Sequence, residues 1–349
     1  MLLIDDQIPL LTDIFAPVDT VKTFDGRALT RDDLIRYRAT SLFVRSTTRV
    51  DRALLEGTRV SFVATATSGT DHVEVDALGD MGITFVSAHG SNANAVAEYV
   101  VTSILYDGID CTNATVGVVG YGAVGTLVAR YLERLGARVI IHDPLRLVYD
   151  GGLQDKHVEL DVLLQSADII TFHPSLHSDE PFPSFHLLNA DNASLIRDDT
   201  LVINTSRGDV FSAKAVDILL ARPNGRLVLD VWPGEPLPPP AHVSGCLIST
   251  PHVAGYTQNA KEQGAMEVAA AYILEAGLPM TLLDRVQQHD GDAEDIPWDA
   301  DALAELLLER RPIDLDAEAF VKAYLAAPTA ATFDAARKNY PLRSETLHG

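Results

Sequence analysis

One segment constrains the fold of this chain more than any other. Val116–Val119 is a short, apolar, mostly β-branched run, and Gly120-Tyr121-Gly122-Ala123-Val124-Gly125 follows it directly. Beyond the glycines, Val124, Leu127, Val128, Tyr131, Leu132 and Leu135 share one helical face, and Arg138–His142 then reads as a second strand ending at Asp143. Strand, glycine turn, helix and strand with a terminal acid make the dinucleotide-binding fingerprint. Gly120 permits the tight turn, Gly122 lets the backbone approach a pyrophosphate, and Gly125 lets helix and strand pack closely. The helix N-terminus then faces the phosphates. Asp143 is placed to hydrogen-bond the adenosine ribose, and its charge repels a 2′-phosphate. NAD is therefore expected over NADP, although Arg146 nearby softens that preference. The ordinary alternative is a ligand-free tight turn with a strand-end aspartate.

Further strands are expected on both sides of this unit. Before it, Leu2–Ile4, Val21–Phe24, Leu42–Val44, Val60–Ala64 and Thr84–Val86 alternate with turn-like or amphipathic segments. After it come Asp168–Phe172, Leu201–Asn204, Leu227–Val231 and Leu247–Ser249. Helices are expected at Asn92–Tyr106 and Gly264–Glu275. Such alternation predicts parallel sheets covered by helices. The fold class is thus α/β: two Rossmann/flavodoxin-like parallel-sheet domains with a cleft between them, plus a short C-terminal segment. Residues 1–90 with 256–280 are expected to form the first domain, of flavodoxin-like type and substrate-binding. Residues 91–255 are expected to form the NAD-binding Rossmann domain. Residues 281–349 begin with an acidic linker, Asp290–Asp295, and continue as a helical tail.

Composition narrows the partners. The 349 residues carry 49 acidic and 27 basic side chains, a formal charge of -22, which argues against nucleic acid and anionic membrane surfaces. A salt-adapted surface and a GC-rich genome both account for that bias. Cys111 and Cys246 are the only cysteines and show no metal-ligand spacing, so neither a disulfide framework nor a metal site is expected. The opening residues are too short and acidic for a signal peptide, and no apolar run approaches bilayer length. A soluble cytoplasmic protein is expected.

Three later strand ends carry chemistry. Asn204-Thr205-Ser206-Arg207-Gly208 ends one, Asp230-Val231-Trp232-Pro233-Gly234-Glu235-Pro236 the next, and Thr250-Pro251-His252-Val253-Ala254-Gly255-Tyr256 the third. An arginine, a carboxylate and a histidine on one rim suit the oxidation of a 2-hydroxy acid. The guanidinium of Arg207 grips a carboxylate with its planar fork. The His252 imidazole takes the hydroxyl proton as hydride leaves, and Glu235 orients that imidazole. Each also has an ordinary reading, as a surface ion pair, a loop acid before proline and a strand-end histidine. His173, followed by Pro174 with no N–H to offer, is read as structural.

Taken together, these strings resemble the D-2-hydroxyacid dehydrogenase family over about residues 1–280. The resemblance implies Arg207 as the catalytic arginine, Glu235 as the histidine's partner, and His252 as proton donor or acceptor. It further implies that Asp230 and Gly255 contact the nicotinamide side of the cofactor. Finer strings, Val44–Val50, Ala64–Val73 and His252–Thr257, are similar to the branch of that family that oxidises 4-phospho-D-erythronate in pyridoxal phosphate biosynthesis. In that branch the positions matching Ser46, Thr67 and Tyr256 bind substrate, and a C-terminal domain dimerises. Phe333–Tyr340 resembles that domain, which implies a homodimer, although the tail is shorter here. Arg45, beside Ser46, is the first candidate for the substrate phosphate, with Arg337, Lys338 or Arg343 of a second subunit as further candidates. One departure is His173-Pro174-Ser175-Leu176, where the family usually has His-Thr-Pro-Leu. Two other readings stand beside this one: a reductase of glyoxylate, hydroxypyruvate or phosphoglycerate type, and a dinucleotide-sensing corepressor.

Overall fold

In the computed structural model, which describes residues 1–150, 153, 155–287 and 296–348, the chain forms two compact units. One comprises Met1–Asn92 with the described part of Thr257–Gly291. The other comprises Ala93–Tyr256 with the described part of Asp292–Gly349. The expected acidic linker Asp290–Asp295 lies outside the described residues.

The first unit is a five-stranded parallel sheet. Its strands are β1 (Leu2–Asp5), β2 (Val21–Phe24), β3 (Ser41–Val44), β4 (Phe62–Thr65) and β5 (Thr84–Ser87). The order β2-β1-β3-β4-β5 is that of flavodoxin-like folds. Strands β1, β3 and β4 are buried throughout, as parallel strands covered on both faces must be. On one face Phe15, Phe43, Phe62 and Tyr272 form an aromatic cluster with ring centroids 5.1–5.9 Å apart. Leu34, Leu42, Val63 and Leu78 fill the other. Tyr272 belongs to helix Gln258–Glu275, which starts six residues before the expected Gly264. The Thr257 hydroxyl caps it by accepting the Ala260 N–H at 3.1 Å. Within it, a Cβ at Gly264 would stand 2.9 Å from the Ala66 carbonyl oxygen, so this helix meets the end of β4 at backbone distance.

The second unit has six parallel strands, β6 (Thr115–Val119), β7 (Arg138–His142), β8 (Ile169–Phe172), β9 (Leu201–Asn204), β10 (Leu227–Leu229) and β11 (Ile248–Ser249). Their order is β11-β10-β9-β8-β6-β7. Outside β7 a single parallel bridge joins Ile141 to His157, with Val158 N–H donating to the Ile141 carbonyl at 2.8 Å. This one bridge stands where a Rossmann sheet carries its third strand, which completes the Rossmann order. The order in which strands are added reverses between β6 and β8, so the switch-point crevice opens beyond Gly120. The long helix Ala93–Asp107 and helix Ala123–Arg134 pack on one face.

The tail is larger in structure than its sequence suggested. It forms helices Ala300–Arg310, Ile313–Ala326 and Ala330–Lys338. Leu303, Leu307, Ile313 and Leu347 join the core on one side of the second sheet, and Phe320, Tyr324 and Phe333 join it on the other. These residues therefore complete the second unit of their own chain, whereas the boundary at 281 anticipated a separate segment. Among the described residues, no helix is long and apolar enough to cross a membrane.

Candidate active site

The glycine turn takes the shape its residues require. Gly120 has φ +85, and a Cβ there would lie 2.6 Å from the Pro174 nitrogen. Gly125 approaches its own turn even more closely, with a Cβ only 2.1 Å from the Gly120 carbonyl oxygen. Gly122 differs: a Cβ there meets nothing within 4 Å. Space is thus kept open at the one glycine that must admit a phosphate, at the N-terminus of helix Ala123–Arg134. This open cradle fits a dinucleotide. Gly122→Ala is expected to leave the melting temperature unchanged and to weaken dinucleotide binding on the order of tenfold. Calorimetric titration beside thermal unfolding checks this, and equal affinities would contradict it.

Asp143 follows β7 and braces the same turn. Its carboxylate accepts the Tyr121 N–H at 2.7 Å and the Arg146 N–H at 2.9 Å. Arg146 in turn donates to the Tyr121 carbonyl at 2.6 Å and lies over the Tyr121 ring. The arginine three residues past Asp143 is therefore engaged with the turn. His173 closes the other side of the crevice. Its N–H donates to the Val119 carbonyl at 2.7 Å, and its ring sits between the hydroxyls of Thr171 (2.8 Å) and Thr205 (3.4 Å). Burial pushes its pKa down to about 3, which favours the neutral ring.

Arg207, Glu235 and His252 follow the adjacent strands β9, β10 and β11. Buried Asn204 shapes the first of these turns: its side-chain oxygen accepts from the Ser206 N–H (3.0 Å) and hydroxyl (2.8 Å), and its amide donates to the Arg207 carbonyl at 3.0 Å. A Cβ at Gly208 would lie 1.9 Å from the Trp232 carbonyl oxygen, so the first and second turns touch through backbone. Glu235 Oε1 then accepts from His252 Nδ1 at 2.8 Å, which favours the tautomer protonated at Nδ1. Burial works to raise the Glu235 carboxyl. The charge and hydrogen bond of His252, then Arg337 and the Trp232 backbone, outweigh it and hold the carboxyl below its usual range.

Asp230, expected beside the nicotinamide, is 1% exposed. Its Oδ1 accepts the Thr250 hydroxyl (2.6 Å) and the Val253 N–H (2.7 Å), and its Oδ2 accepts the Ala254 N–H (2.9 Å). Its backbone carbonyl accepts the His252 N–H at 2.7 Å. Asp230 thus supports the histidine turn from behind. Gly255 and Tyr256 lie at the end of that turn, with the Tyr256 ring centroid 6.4 Å from that of Tyr340.

In the first unit Arg45 and Ser46 follow β3, and Thr67 lies just past β4, its neighbour in the sheet. Arg45 Nε donates to the fully buried Asp5 at 2.9 Å, so one edge of its fork is committed to a structural ion pair. Ser46 is exposed. The Thr67 hydroxyl lies 2.8 Å from that of Thr65 and 3.2 Å from the Gly69 carbonyl. Of the basic residues considered for a second subunit, Arg337 acts on Glu235 of its own chain and Arg343 grips both carboxylate oxygens of Asp316 at 2.7 and 2.9 Å. Sequence reasoning passed over Asn204 and Thr250 as structural determinants. Their position immediately at strand ends, in the same strings as Arg207 and His252, was the available signal.

Known proteins fit this geometry. A sequence model for the D-isomer specific 2-hydroxyacid dehydrogenase NAD binding domain matches residues 84–254. An erythronate-4-phosphate dehydrogenase of Pseudomonas entomophila is 36% identical across 99% of this chain and 92% of its own length. The chain belongs to the D-isomer-specific 2-hydroxyacid dehydrogenase family. A second erythronate-4-phosphate dehydrogenase, from Azotobacter vinelandii, is 37% identical across 99% of this chain and 92% of its own. Among solved structures, the TT0316 protein of Thermus thermophilus superposes with a TM-score of 0.67 at 23% identity, covering 79% of this chain and 97% of that one. The D-lactate dehydrogenase of Aquifex aeolicus, solved with NAD and lactic acid, gives 0.63 at 21%, covering 82% and 97%. At these identities the solved structures speak for the fold alone. As a member of this family the chain is an NAD-dependent dehydrogenase, and the matched stretch 84–254 contains the Gly120–Gly125 turn and Asp143.

Proposed function

We propose that this dehydrogenase oxidises 4-phospho-D-erythronate at C2, yielding 3-hydroxy-2-oxo-4-phosphooxybutanoate and NADH, as a step in pyridoxal 5′-phosphate formation. The near full-length likeness to erythronate-4-phosphate dehydrogenases carries this reading. The Glu235–His252 pair, on strand ends next to that of Arg207 in the sheet that also carries the glycine turn, supports the chemistry. Bound NAD supplies the hydride acceptor. Nε2 of His252 takes the C2 hydroxyl proton as the C2–H bond gives up its hydride and the C2 carbonyl forms. Glu235 holds the imidazole by Nδ1 and stabilises the imidazolium that results. Arg207 binds the substrate carboxylate through its fork. Asp230 and Gly255 hold the turn that faces the nicotinamide. Ser46, Thr67 and Tyr256 take the remaining polar groups of the substrate. Arg45 takes its phosphate with the Nη edge that Asp5 leaves. Within this reading the first unit is the substrate-binding domain and the second the NAD-binding domain, in a cytoplasmic homodimer. Leu315, Leu325 and Leu342 of the tail, all exposed, offer apolar surface for a second copy.

A substrate panel tests the proposal. NADH formation is measured with 4-phosphoerythronate, erythronate, 3-phosphoglycerate, glycerate and lactate, and NADH consumption with glyoxylate and hydroxypyruvate. The phosphorylated four-carbon acid is expected to exceed unphosphorylated erythronate by about 10–100-fold in kcat/KM, the worth of one or two hydrogen bonds to a charged group. A preference for glyoxylate, hydroxypyruvate or 3-phosphoglycerate would move the enzyme to another branch of the family. A chain that binds NAD but turns over none of these acids would be a sensor.

A further inference from the structure

His252 occupies a backbone position that its sequence does not favour. Its φ is +59, in the left-handed region that a non-glycine residue keeps only where its surroundings hold it there. Behind it, the N–H groups of Val253 and Ala254 are taken by the Asp230 carboxylate. The carbonyls of the same two residues are taken from the opposite side. Arg311, at the end of helix Ala300–Arg310, donates from Nη2 to the Val253 carbonyl at 2.9 Å and to the Ala254 carbonyl at 3.0 Å. Its Nη1 reaches the Ala95 carbonyl at 3.2 Å, and its guanidinium lies 5.0 Å from the centre of the Tyr99 ring.

Arg311 is 3% exposed, and a cation this deeply buried needs compensation. Burial works to discharge it, but Tyr340 and Glu98 outweigh that effect and keep it charged. Glu98, 2% exposed, also accepts the N–H groups of Thr346 (2.6 Å) and Leu347 (2.7 Å). The charge of Glu98, on helix Ala93–Asp107, thus favours that of Arg311, whose guanidinium ends on the carbonyls of Val253 and Ala254. An apolar residue at 311 would leave the Val253 carbonyl only the Tyr256 N–H, at 2.9 Å, and would take from the Ala254 carbonyl the donor that Arg311 supplies.

We propose that Arg311, charge-balanced by Glu98, is a positioning residue: it locks the His252 turn from the carbonyl side so that the imidazole stays aligned with Glu235 and the substrate. This rests on His252 being the proton carrier of the proposed reaction. Arg311 touches neither substrate nor cofactor, so its loss should appear in turnover ahead of binding.

Two variants test the lock. Arg311→Lys keeps the charge beside Glu98 but loses the two-carbonyl fork. The double variant Glu98→Gln with Arg311→Met removes both buried charges together. Each is expected to lower kcat about 10–100-fold, the scale of a misplaced catalytic group. KM for the hydroxy acid and Kd for NAD should move less than about threefold. A proton spectrum adds a readout independent of turnover: the downfield His252 Nδ1–H resonance, assigned by its loss in His252→Ala, should weaken or broaden in both variants. Unchanged kcat with an unchanged resonance in a folded variant would overturn the proposal. So would parallel loss of turnover and NAD binding, or failure of both variants to show a cooperative melting transition, since the pair would then serve the fold at large. If the wild-type enzyme turns over none of the panel acids, the substrate assignment fails by itself, and the resonance still decides the role of Arg311.

Discussion

His252→Ala is expected to abolish useful turnover, with kcat down by about 10²–10⁴-fold, the usual contribution of a positioned acid–base group. NAD affinity should be retained, because the glycine turn and Asp143 follow β6 and β7, across β8, β9 and β10 from the histidine strand β11. The measurement is NADH absorbance under saturating substrate, paired with a fluorescence titration of NAD. Glu235→Gln should give a smaller loss, since an amide oxygen can still accept from Nδ1 at the observed 2.8 Å but carries no charge to stabilise the imidazolium. A His252→Ala enzyme with turnover within a few-fold of wild type would remove the histidine from the chemistry, and Glu235 would lose its assigned role with it.

The second large effect is expected at Gly125. Gly125→Ala puts a methyl 2.1 Å from the Gly120 carbonyl oxygen, 3.1 Å from its carbon and 3.2 Å from Val118 Cγ1. Two of these neighbours are backbone, so the helix must move off the strand. Overpacking of this kind costs about 1–3 kcal/mol. The shift also rotates the helix N-terminus away from the phosphates, so NAD binding should fall below detection while the melting temperature drops by several degrees. Differential scanning fluorimetry with and without NAD separates the two effects. Wild-type melting together with a normal NAD-induced shift would show that the turn is looser than its contacts imply. The contrast with Gly122, where the added methyl meets only open space, makes the pair a test of which glycine serves packing and which serves the ligand.

What was legible in the sequence follows from where its physics is local. Strand, turn and helix around Gly120–Gly125 are dictated by residues next to one another, and the positions of Arg207, Glu235 and His252 follow from neighbouring parallel strands ending on one edge. The ends of elements were less legible. Strand β10 stops at Leu229, two residues before the expected Val231, because Asp230 turns its carboxylate to the Thr250–Ala254 turn. The third Rossmann strand is a single bridge at His157, too short for any hydrophobic period to reveal. Helix Gln258–Glu275 begins with Gln258, Asn259, Lys261, Glu262 and Gln263, which show no apolar stripe, so only the Thr257 cap marked its start. In the tail, an apolar face made of Leu303 and Leu307 reads the same whether it covers its own domain or a second copy; three-dimensional packing assigned it to its own. Arg311 was invisible for a related reason. Arg310 and Arg311 stand side by side in the sequence, and nothing local says which of them ends under the histidine turn.

The contact between Gly208 and the Trp232 carbonyl has a consequence for anyone who would redesign this enzyme. The loop that presents the guanidinium and the loop that presents the acid lean on each other without an intervening side chain, so neither can be lengthened, tilted or rebuilt alone. A mutant library that diversifies 204–208 while freezing 230–236 will mostly sample collisions. Selectivity for a bulkier acid is better sought by recombining both loops as one cassette, or by leaving the pair untouched and varying positions such as Ser46 and Tyr256.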